Sequence, residues 1–212
     1  MNCITHAPDE LRRVTEVTTG IPHMKKAAGT RIHALLHARR SQRILEIGFY
    51  HGVSTCYFAA VAEGLGGHVT AVDIPFSASL SPTAETLLSR CGLEHRVTLL
   101  RDPGGAAWFL AQAIRQGDLF DAVFLDDIHI WTQTGFHALL ALRVLSQGGL
   151  LILDDLDWTV SKSKSSHVRG DGLTDAQRNT AQVRMVWELL IRREARVSHT
   201  WEEFGMGFAE LH

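Results

Sequence analysis

Carboxylates follow two apolar segments of the chain. Asp126 comes directly after the segment 122–125, and Asp154 and Asp155 come directly after the segment 150–153. If these segments are neighbouring parallel strands, their carboxyl ends meet at one edge of the sheet, where ligands gather in doubly wound folds. Three carboxylates close together need a cation, and oxygen ligands without cysteine favour Mg²⁺, or Mn²⁺ in its place, over structural zinc. The sequence therefore predicts a divalent-cation site.

A histidine stands close to this predicted site. His129 follows Asp126 by three residues, and an unperturbed histidine pKa of about 6.5 suits a proton acceptor near neutral pH. The alternative is a purely structural role for these residues. Asp126 or Asp127 could cap the next helix, Asp155 could bond turn amides, and His129 could be an ordinary polar loop residue.

A second group of residues surrounds a predicted turn between a strand and a helix. Gly48 and Gly52 follow the strand 43–47, and a tight glycine turn brings backbone close to a ligand. Glu46 lies near the end of an apolar strand, where a carboxylate costs free energy unless it meets a partner such as a cationic cofactor. Asp73 ends the next predicted strand, where an acid can accept hydrogen bonds from both ribose hydroxyls of an adenosine group. A nicotinamide site is disfavoured because G-x-G-x-x-G spacing is missing.

The elements that must position these residues alternate between β-rich segments and helical patterns from about residue 42 onward. The predicted strands are 43–47, 68–73, 96–100, 121–125 and 150–153, with 196–200 and 204–211 as a closing antiparallel pair. The predicted helices are 27–39, 52–63, one that begins at Ser81 and Pro82, 106–116, and two more. The first of these two has Phe136, Leu140 and Val144 on one face. The second begins at a capping box of Thr174 and Gln177 and has Val183, Val186, Trp187 and Leu190 on one face. This order predicts an α/β, Rossmann-like, doubly wound and mostly parallel sheet with a C-terminal antiparallel strand pair.

The 212 residues predict a single domain with four parts. Residues 1–41 would form a helical cover over the acceptor site, and residues 42–155 the cofactor-binding core. Residues 156–173 are polar and rich in Ser, Lys and Gly, which is typical of a mobile surface loop and predicts a possible lid. Residues 174–212 would supply the last helix and the strand pair.

Composition excludes several classes of protein. Hydrophobic residues make up 45% of the chain and charged residues 21%, as in globular proteins, and the net charge of −2 without a basic block argues against a nucleic-acid partner. No apolar run approaches the roughly 20 residues of a membrane span. Residues 1–10 lack a secretory signal pattern, so we expect a cytoplasmic protein. Cys3, Cys56 and Cys91 form no C-x-x-C pair, which predicts buried or incidental thiols.

The glycine turn and its acids resemble the class I S-adenosylmethionine-dependent methyltransferases over residues 42 to 155. The E-x-G-x-x-x-G turn of that family matches Glu46, Gly48 and Gly52, and its ribose-binding acid matches Asp73. The resemblance implies that the turn lines the methionine end of S-adenosylmethionine.

The same resemblance implies two further cofactor contacts. Ser54 or Thr55 would lie near the methionine end, and Asp102 would lie beside the adenine. An RNA methyltransferase is disfavoured by the charge balance and because an Asn-Pro-Pro-Tyr-like motif is missing. Dimerisation is an expectation at the level of the family.

The carboxylates are similar to those of metal-dependent O-methyltransferases of the catechol or caffeoyl-CoA type and of the macrolide-sugar type. Asp126, Asp154 and Asp155 match the metal-binding positions. The catechol type carries lysine where this chain has His129, and Asp-Asn where it has Asp154 and Asp155. The resemblance thus implies Mg²⁺-dependent methylation of a small vicinally hydroxylated acceptor, preferably a saccharide, with His129 removing the proton. A catechol acceptor, a metal-independent methyltransferase and a non-catalytic S-adenosylmethionine-binding module remain the alternatives.

Overall fold

A computed structural model describes residues 9–163 and 172–212; Cys3 and residues 164–171 of the predicted lid lie outside the described residues. The strands are β1 (Arg43–Ile47), β2 (His68–Asp73), β3 (Val97–Arg101), β4 (Phe120–Leu125), β5 (Leu145–Leu153), β6 (Val197–Glu203) and β7 (Met206–Leu211). The helices are α1 (Asp9–Thr18), α2 (Lys26–Ala38), α3 (Val53–Leu65), α4 (Ala84–Cys91), α5 (Ala106–Gln116), α6 (Trp131–Val144), α7 (Asp175–Asn179) and α8 (Gln182–Val186), which continues as a π-helical turn, Trp187–Ile191. Within this described part of the chain, no helix is both long enough and apolar enough to cross a membrane.

The seven strands form one sheet in the order β3-β2-β1-β4-β5-β7-β6. β3 through β5 pair in parallel, while β7 pairs antiparallel with both β5 and β6. One face of the sheet packs on α2 and α3, and the other face packs on α5, α6 and α8. The predicted fold class is confirmed. Because the strand order reverses between β1 and β4, the crevice for a ligand lies at the carboxyl ends of these two strands.

Backbone hydrogen bonds carry the sheet past the strand ends into the loops that hold the predicted site residues. The amide of Gly48 donates to the carbonyl of Val72 at 2.8 Å, and the amide of Asp126 donates to the carbonyl of Ile47 at 2.9 Å. The amide of Asp154 donates to Leu125 at 3.0 Å. The first residues after β1, β4 and β5 are therefore fixed relative to one another.

The N-terminal half differs from the prediction in two helices. α1 was not predicted, although Leu11, Val14 and Thr18 are buried at helical spacing and pack towards α3 and α4. α4 begins at Ala84, and its N-cap is Thr83, whose hydroxyl accepts from the amide of Thr86. The predicted helix start at Ser81 and Pro82 is wrong, because a threonine two residues later supplies the capping oxygen.

The helix before β5 also differs from the prediction. Phe136 is 52% exposed, and the buried face of α6 instead includes Thr134, His137 and Ala141, so the predicted face is wrong at Phe136. β5 starts at Leu145, where the register with β4 shifts, rather than after the two glycines. Leu145 pairs with Phe120, the first residue of β4, and so lengthens the strand.

The C-terminal helix is interrupted. The capping box of Thr174 and Gln177 is confirmed, but α7 ends at Asn179 and a separate helix, α8, follows. Val183, Val186 and Trp187 are buried as predicted, on this second helix and its π-helical turn.

The described part of the predicted lid is better packed than expected. Leu156 and Val160 are buried, and the amide of Leu156 donates to Gly205 at 2.9 Å.

Candidate active site

The glycine turn after β1 lies directly against the loop after β4. Gly48 has a φ of 84°, and a Cβ at this position would lie 1.9 Å from the carbonyl oxygen of Asp126. Gly52 has a φ of 85°, and its Cβ would lie 2.6 Å from the Cβ of Ala84. Side chains are excluded at both positions by backbone conformation and by space. The turn thus brings bare backbone to the crevice between β1 and β4.

Glu46 is fully buried beneath this turn. Its carboxylate accepts hydrogen bonds from the hydroxyl of Ser54 and from that of Thr55, the latter at 2.6 Å. Its partners in the structure are these two hydroxyls of α3. Burial raises the pKa of Glu46 to about 8, although both hydroxyl hydrogen bonds oppose the shift.

Asp73 ties the glycine turn to the end of β2. Its Oδ2 accepts from the amides of Phe49 and Tyr50 at 2.9 and 2.7 Å, and its Oδ1 accepts from the amide of Ile74 at 2.7 Å. Burial raises the pKa of Asp73, while the three amides act in the opposite direction. Since a carboxylate oxygen accepts more than one hydrogen bond, Oδ1 retains capacity for a ligand hydroxyl.

Asp102 follows β3, next to Asp73. Its amide donates to the carbonyl of Asp73 at 2.9 Å, and its Oδ1 accepts from the amide of Gly104 at 2.7 Å. The carboxylate thus stabilises its own turn beside the strand ends.

Asp126, His129 and Asp155 converge at the carboxyl ends of β4 and β5. Nε2 of His129 lies 3.1 Å from Oδ1 of Asp126 and 3.4 Å from Oδ2 of Asp155. One donor atom from each residue can be chosen so that all three lie within 4.8 Å of one another, as in a metal site. His129 and Asp155 have φ values of 61° and 53°, which non-glycine residues rarely adopt.

Asp154, the third predicted ligand, lies beside this group. Its Oδ1 accepts from the amide of Asp155 at 2.7 Å, and it is more enclosed than Asp155. Burial, followed by the charges of Asp126 and Asp155, raises the pKa of Asp154 well above its usual range. Asp154 thus lies outside the group formed by Asp126, His129 and Asp155, and its role as a ligand stays a prediction.

The imidazole of His129 is held as a cation by its neighbours. Burial alone would lower the pKa of His129, but Asp126 and Asp155 outweigh this effect and raise the pKa to about 10. The side chain is only 13% exposed. In the part of the chain that the structure describes, Nε2 is nevertheless buried without a hydrogen bond of good geometry, because the two carboxylates lie at ion-pair distance but off the N–H direction.

Asp127 has a different role from helix capping, which was one reading of the sequence. Its Oδ1 accepts from Thr134 Oγ1 at 2.5 Å and its Oδ2 lies 2.6 Å from Nδ1 of His137, both on α6. The first amide of α6, that of Trp131, instead donates to Oε1 of Gln182 at 2.8 Å. Burial opposes the ionised form, but His137 and Thr134 more than compensate, so the pKa of Asp127 is lowered.

Aromatic rings border the carboxylates on two sides. The ring of Trp158 lies 4.9 Å from that of His129, and the ring of His23 lies 4.4 Å from that of Tyr50. Burial lowers the pKa of His23, and the charges of Asp126 and Asp155 act in the opposite direction. His23, from the segment between α1 and α2, was missed in the sequence because nothing in its neighbourhood has ligand spacing.

A family of known proteins matches the part of the chain that carries the glycine turn and the carboxylates. Residues 45–156, more than half of the chain, match the family model of a methyltransferase domain. The chain belongs to this methyltransferase family. The resemblance drawn from the glycine turn is therefore confirmed at the level of the family. No curated protein matches the chain in sequence.

Solved structures of methyltransferases share the fold of this methyltransferase. One is the O-methyltransferase TomG from Streptomyces achromogenes in complex with S-adenosylmethionine, at 20% identity and a TM-score of 0.70, covering 99% of this chain and 92% of that one. Another is an O-methyltransferase from Bacillus cereus in complex with S-adenosylhomocysteine, at 22% identity and a TM-score of 0.68, covering 99% and 94%. A third is the Podospora anserina methyltransferase PaMTH1, at 18% identity and a TM-score of 0.70, covering 97% and 89%. At these identities the likeness establishes the fold.

The buried carboxyl of Glu46 gives this methyltransferase a specific pH dependence. With a folded-state pKa of about 8 and an ordinary value of 4.5, the folded form binds the proton more tightly than the unfolded form. This contribution to stability is complete below pH 4.5 and is lost as the pH rises through 8. Replacing Glu46 with glutamine removes the titration, so we expect the free energy of unfolding of Glu46→Gln, relative to the wild type, to rise by on the order of 3 kcal/mol between pH 4.5 and pH 8.5.

Urea unfolding of the ligand-free protein across this pH range measures the difference. The exposed residue Glu188 on the π-helical turn offers a control, Glu188→Gln. A constant difference between Glu46→Gln and wild type at every pH would contradict the buried, protonated state of Glu46.

Proposed function

We propose that the protein transfers a methyl group from S-adenosylmethionine to a hydroxyl of a small, vicinally hydroxylated acceptor with the help of a divalent cation. The observation that carries the proposal is the contact between the two halves of the site. The backbone of Gly48, in the glycine turn, lies against the backbone of Asp126, whose side chain belongs to the carboxylate group. A cofactor in the turn and an acceptor at the carboxylates would therefore be neighbours, as methyl transfer between two bound reactants requires.

The residues of the turn fit the proposed cofactor. Gly48 and Gly52 let the turn pack tightly against Asp126 and Ala84, and Oδ1 of Asp73 has capacity to accept from a ribose hydroxyl. Ser54 and Thr55 would act through Glu46, since their hydroxyls bond its buried carboxylate. Oδ1 of Asp102 accepts one hydrogen bond from its own turn, so the carboxylate retains capacity to accept from the adenine. TomG and the Bacillus cereus enzyme, which share the fold, bind S-adenosylmethionine and S-adenosylhomocysteine respectively.

The residues of the carboxylate group fit a divalent cation. Asp126 and Asp155 lie around one position, and Asp154 lies beside them. The pKa of Asp154 is raised first by burial and then by the charges of Asp126 and Asp155, and a cation would relieve this repulsion. Nε2 of His129 is buried and lacks a well-aligned hydrogen bond within the described residues. Oxygen ligands favour Mg²⁺ or Mn²⁺. When bound, the ion would lower the pKa of an acceptor hydroxyl.

His129 is the proposed proton acceptor. Its pKa of about 10 arises from Asp126 and Asp155, so the imidazole carries a proton at neutral pH while these carboxylates are uncompensated. A divalent cation held by these carboxylates would neutralise their charge and so remove the cause of the raised pKa. The neutral imidazole can then accept the acceptor proton, and Asp126 orients the ring through their 3.1 Å contact.

The acceptor is proposed to be a saccharide or a glycosylated metabolite. Two identities support this choice, His129 and the pair Asp154 and Asp155, both of which depart from the catechol type. Trp158 beside His129 provides a ring face on which a sugar or an aromatic acceptor can stack. A catechol acceptor is the alternative, and the two are distinguished by testing both classes of compound.

The cofactor site is tested by calorimetric titration with S-adenosylmethionine. In Asp73→Asn, one acceptor oxygen becomes a donor, which weakens both the turn and the ribose contact. We expect a loss of affinity of about 10- to 100-fold, the value of a charge-assisted hydrogen bond. Asp118→Asn at the opposite end of β4 is the control. Equal affinities for the wild type and Asp73→Asn would remove Asp73 from the site.

The cation site is tested by methyl transfer to saccharide and catechol panels with Mg²⁺, with Mn²⁺ and with a chelator. We expect transfer only with a cation, and we expect His129→Ala to lower turnover about 100-fold or more while Mn²⁺ affinity changes only a few-fold. A large loss of Mn²⁺ affinity in His129→Ala would make His129 a ligand instead of the proton acceptor.

Two outcomes favour the other candidate functions. Transfer that persists in the chelator, and in Asp126→Asn, would indicate a metal-independent methyltransferase with structural acids. Binding of S-adenosylmethionine without transfer to either panel would favour a non-catalytic binding module.

A further inference from the structure

The loop between β4 and α6 holds His129 in an unfavourable backbone conformation. Its φ of 61° lies in the left-handed region, which is uncommon for residues other than glycine. Residues in such conformations persist where surrounding contacts determine them, and they cluster at functional sites. The contacts that hold His129 in place therefore bear on the site.

Asp127 supplies such contacts from within the same loop. Its Oδ1 accepts from the amide of His129 at 3.3 Å, which closes a local turn around the left-handed residue. The carboxylate is itself anchored on α6, because Thr134 and His137 reach it at 2.5 and 2.6 Å. All three side chains are nearly enclosed, with the Asp127 side chain 10% exposed.

α6 is a firm support for this carboxylate. Its first amide, at Trp131, is bonded to the side chain of Gln182 on α8, and its residues Ala138, Ala141 and Leu142 are buried in the core. Thr134 and His137 lie three residues apart on the buried side of the helix and so face the loop together. The chain of contacts runs from the core through α6 to Asp127 and then to His129.

We infer that Asp127, anchored by Thr134 and His137, is the positioning residue that holds the His129 ring between Asp126 and Asp155. The role of this ring in methyl transfer rests on the proposed function, whereas its position does not. Asp127 contacts neither cofactor nor acceptor in this account, and it acts through His129. A purely structural Asp127 would instead contribute to stability and leave the position of the His129 ring unchanged.

The position of the ring can be measured without cation, cofactor or acceptor. The rings of His129 and Trp158 lie 4.9 Å apart, so their protons should give a nuclear Overhauser effect in isotope-labelled protein. In Asp127→Asn one oxygen is replaced by a donor group, which cannot accept from α6. We expect the effect to fall to less than half of its wild-type intensity in Asp127→Asn and to be unchanged in the control Asp118→Asn.

Thr134 provides a milder, matched pair of variants in case Asp127→Asn fails to fold. Thr134→Val keeps the shape but loses the hydroxyl that reaches Asp127, and Thr134→Ser keeps the hydroxyl. We expect the nuclear Overhauser effect between His129 and Trp158 to be weaker in Thr134→Val and to have its wild-type intensity in Thr134→Ser. Wild-type intensity in both Asp127→Asn and Thr134→Val would overturn the inference.

Kinetics supply a second readout. We expect Asp127→Asn to lower kcat about 10-fold or more, in the range seen for residues that orient active-site ligands, with the KM for S-adenosylmethionine changed less than 2-fold. This loss should disappear when His129 is already alanine, and an equal loss in that background would overturn the inference. If the wild type transfers no methyl group but the ring contact responds as expected, the proposed function fails and the positioning role stands.

Discussion

The close approach of the β1 turn to the β4 loop is the constraint on which the rest of the site depends. The Cβ of any residue other than glycine at position 48 would collide with the carbonyl oxygen of Asp126. This contact lies where the strand order reverses, so the crevice receives backbone from β1 and carboxylates from β4 and β5. The cofactor turn and the acid group are thus two sides of one crevice.

Electrostatics in this crevice are balanced in two ways. Glu46, beneath the turn, is compensated by hydroxyls and by a raised pKa, so it carries little charge near neutral pH. Asp126 and Asp155 are compensated by the imidazolium of His129. The second arrangement depends on an imidazole that can lose its proton, which suits the cation site proposed above. Asp127 stands apart from this exchange because α6 satisfies its carboxylate.

The strands were predictable from the sequence because they depend on local patterns of apolar residues. β1 and β2 have the predicted bounds, since their apolar segments end at Gly48 and Asp73. α1 was not predicted because it is a short amphipathic segment. The true start of α4 was not predicted because Ser81 and Pro82 form a more typical helix start than Thr83, which is the N-cap in the structure. The length of β5 was not predictable, because its first residues belong to the strand only through a shifted pairing with β4.

Within the site, the sequence identified residues but not their partners. Ser54 and Thr55 were expected near the cofactor, and their bonds to Glu46 depend on α3 folding back over β1. Likewise, the sequence does not indicate the contact of His137 with Asp127, since it follows from the orientation of α6. The choice between Asp154 and His129 as the third donor depends on side-chain directions in two loops, which spacing alone does not specify.

A crystal structure of the protein with S-adenosylhomocysteine and Mn²⁺, with anomalous diffraction from the metal, tests the central claim most directly. The account predicts the nucleoside beside Asp73, the homocysteine along the turn at Gly48, and an anomalous peak coordinated by Asp126 and Asp155. A cofactor bound elsewhere, or a peak away from these carboxylates, would contradict it.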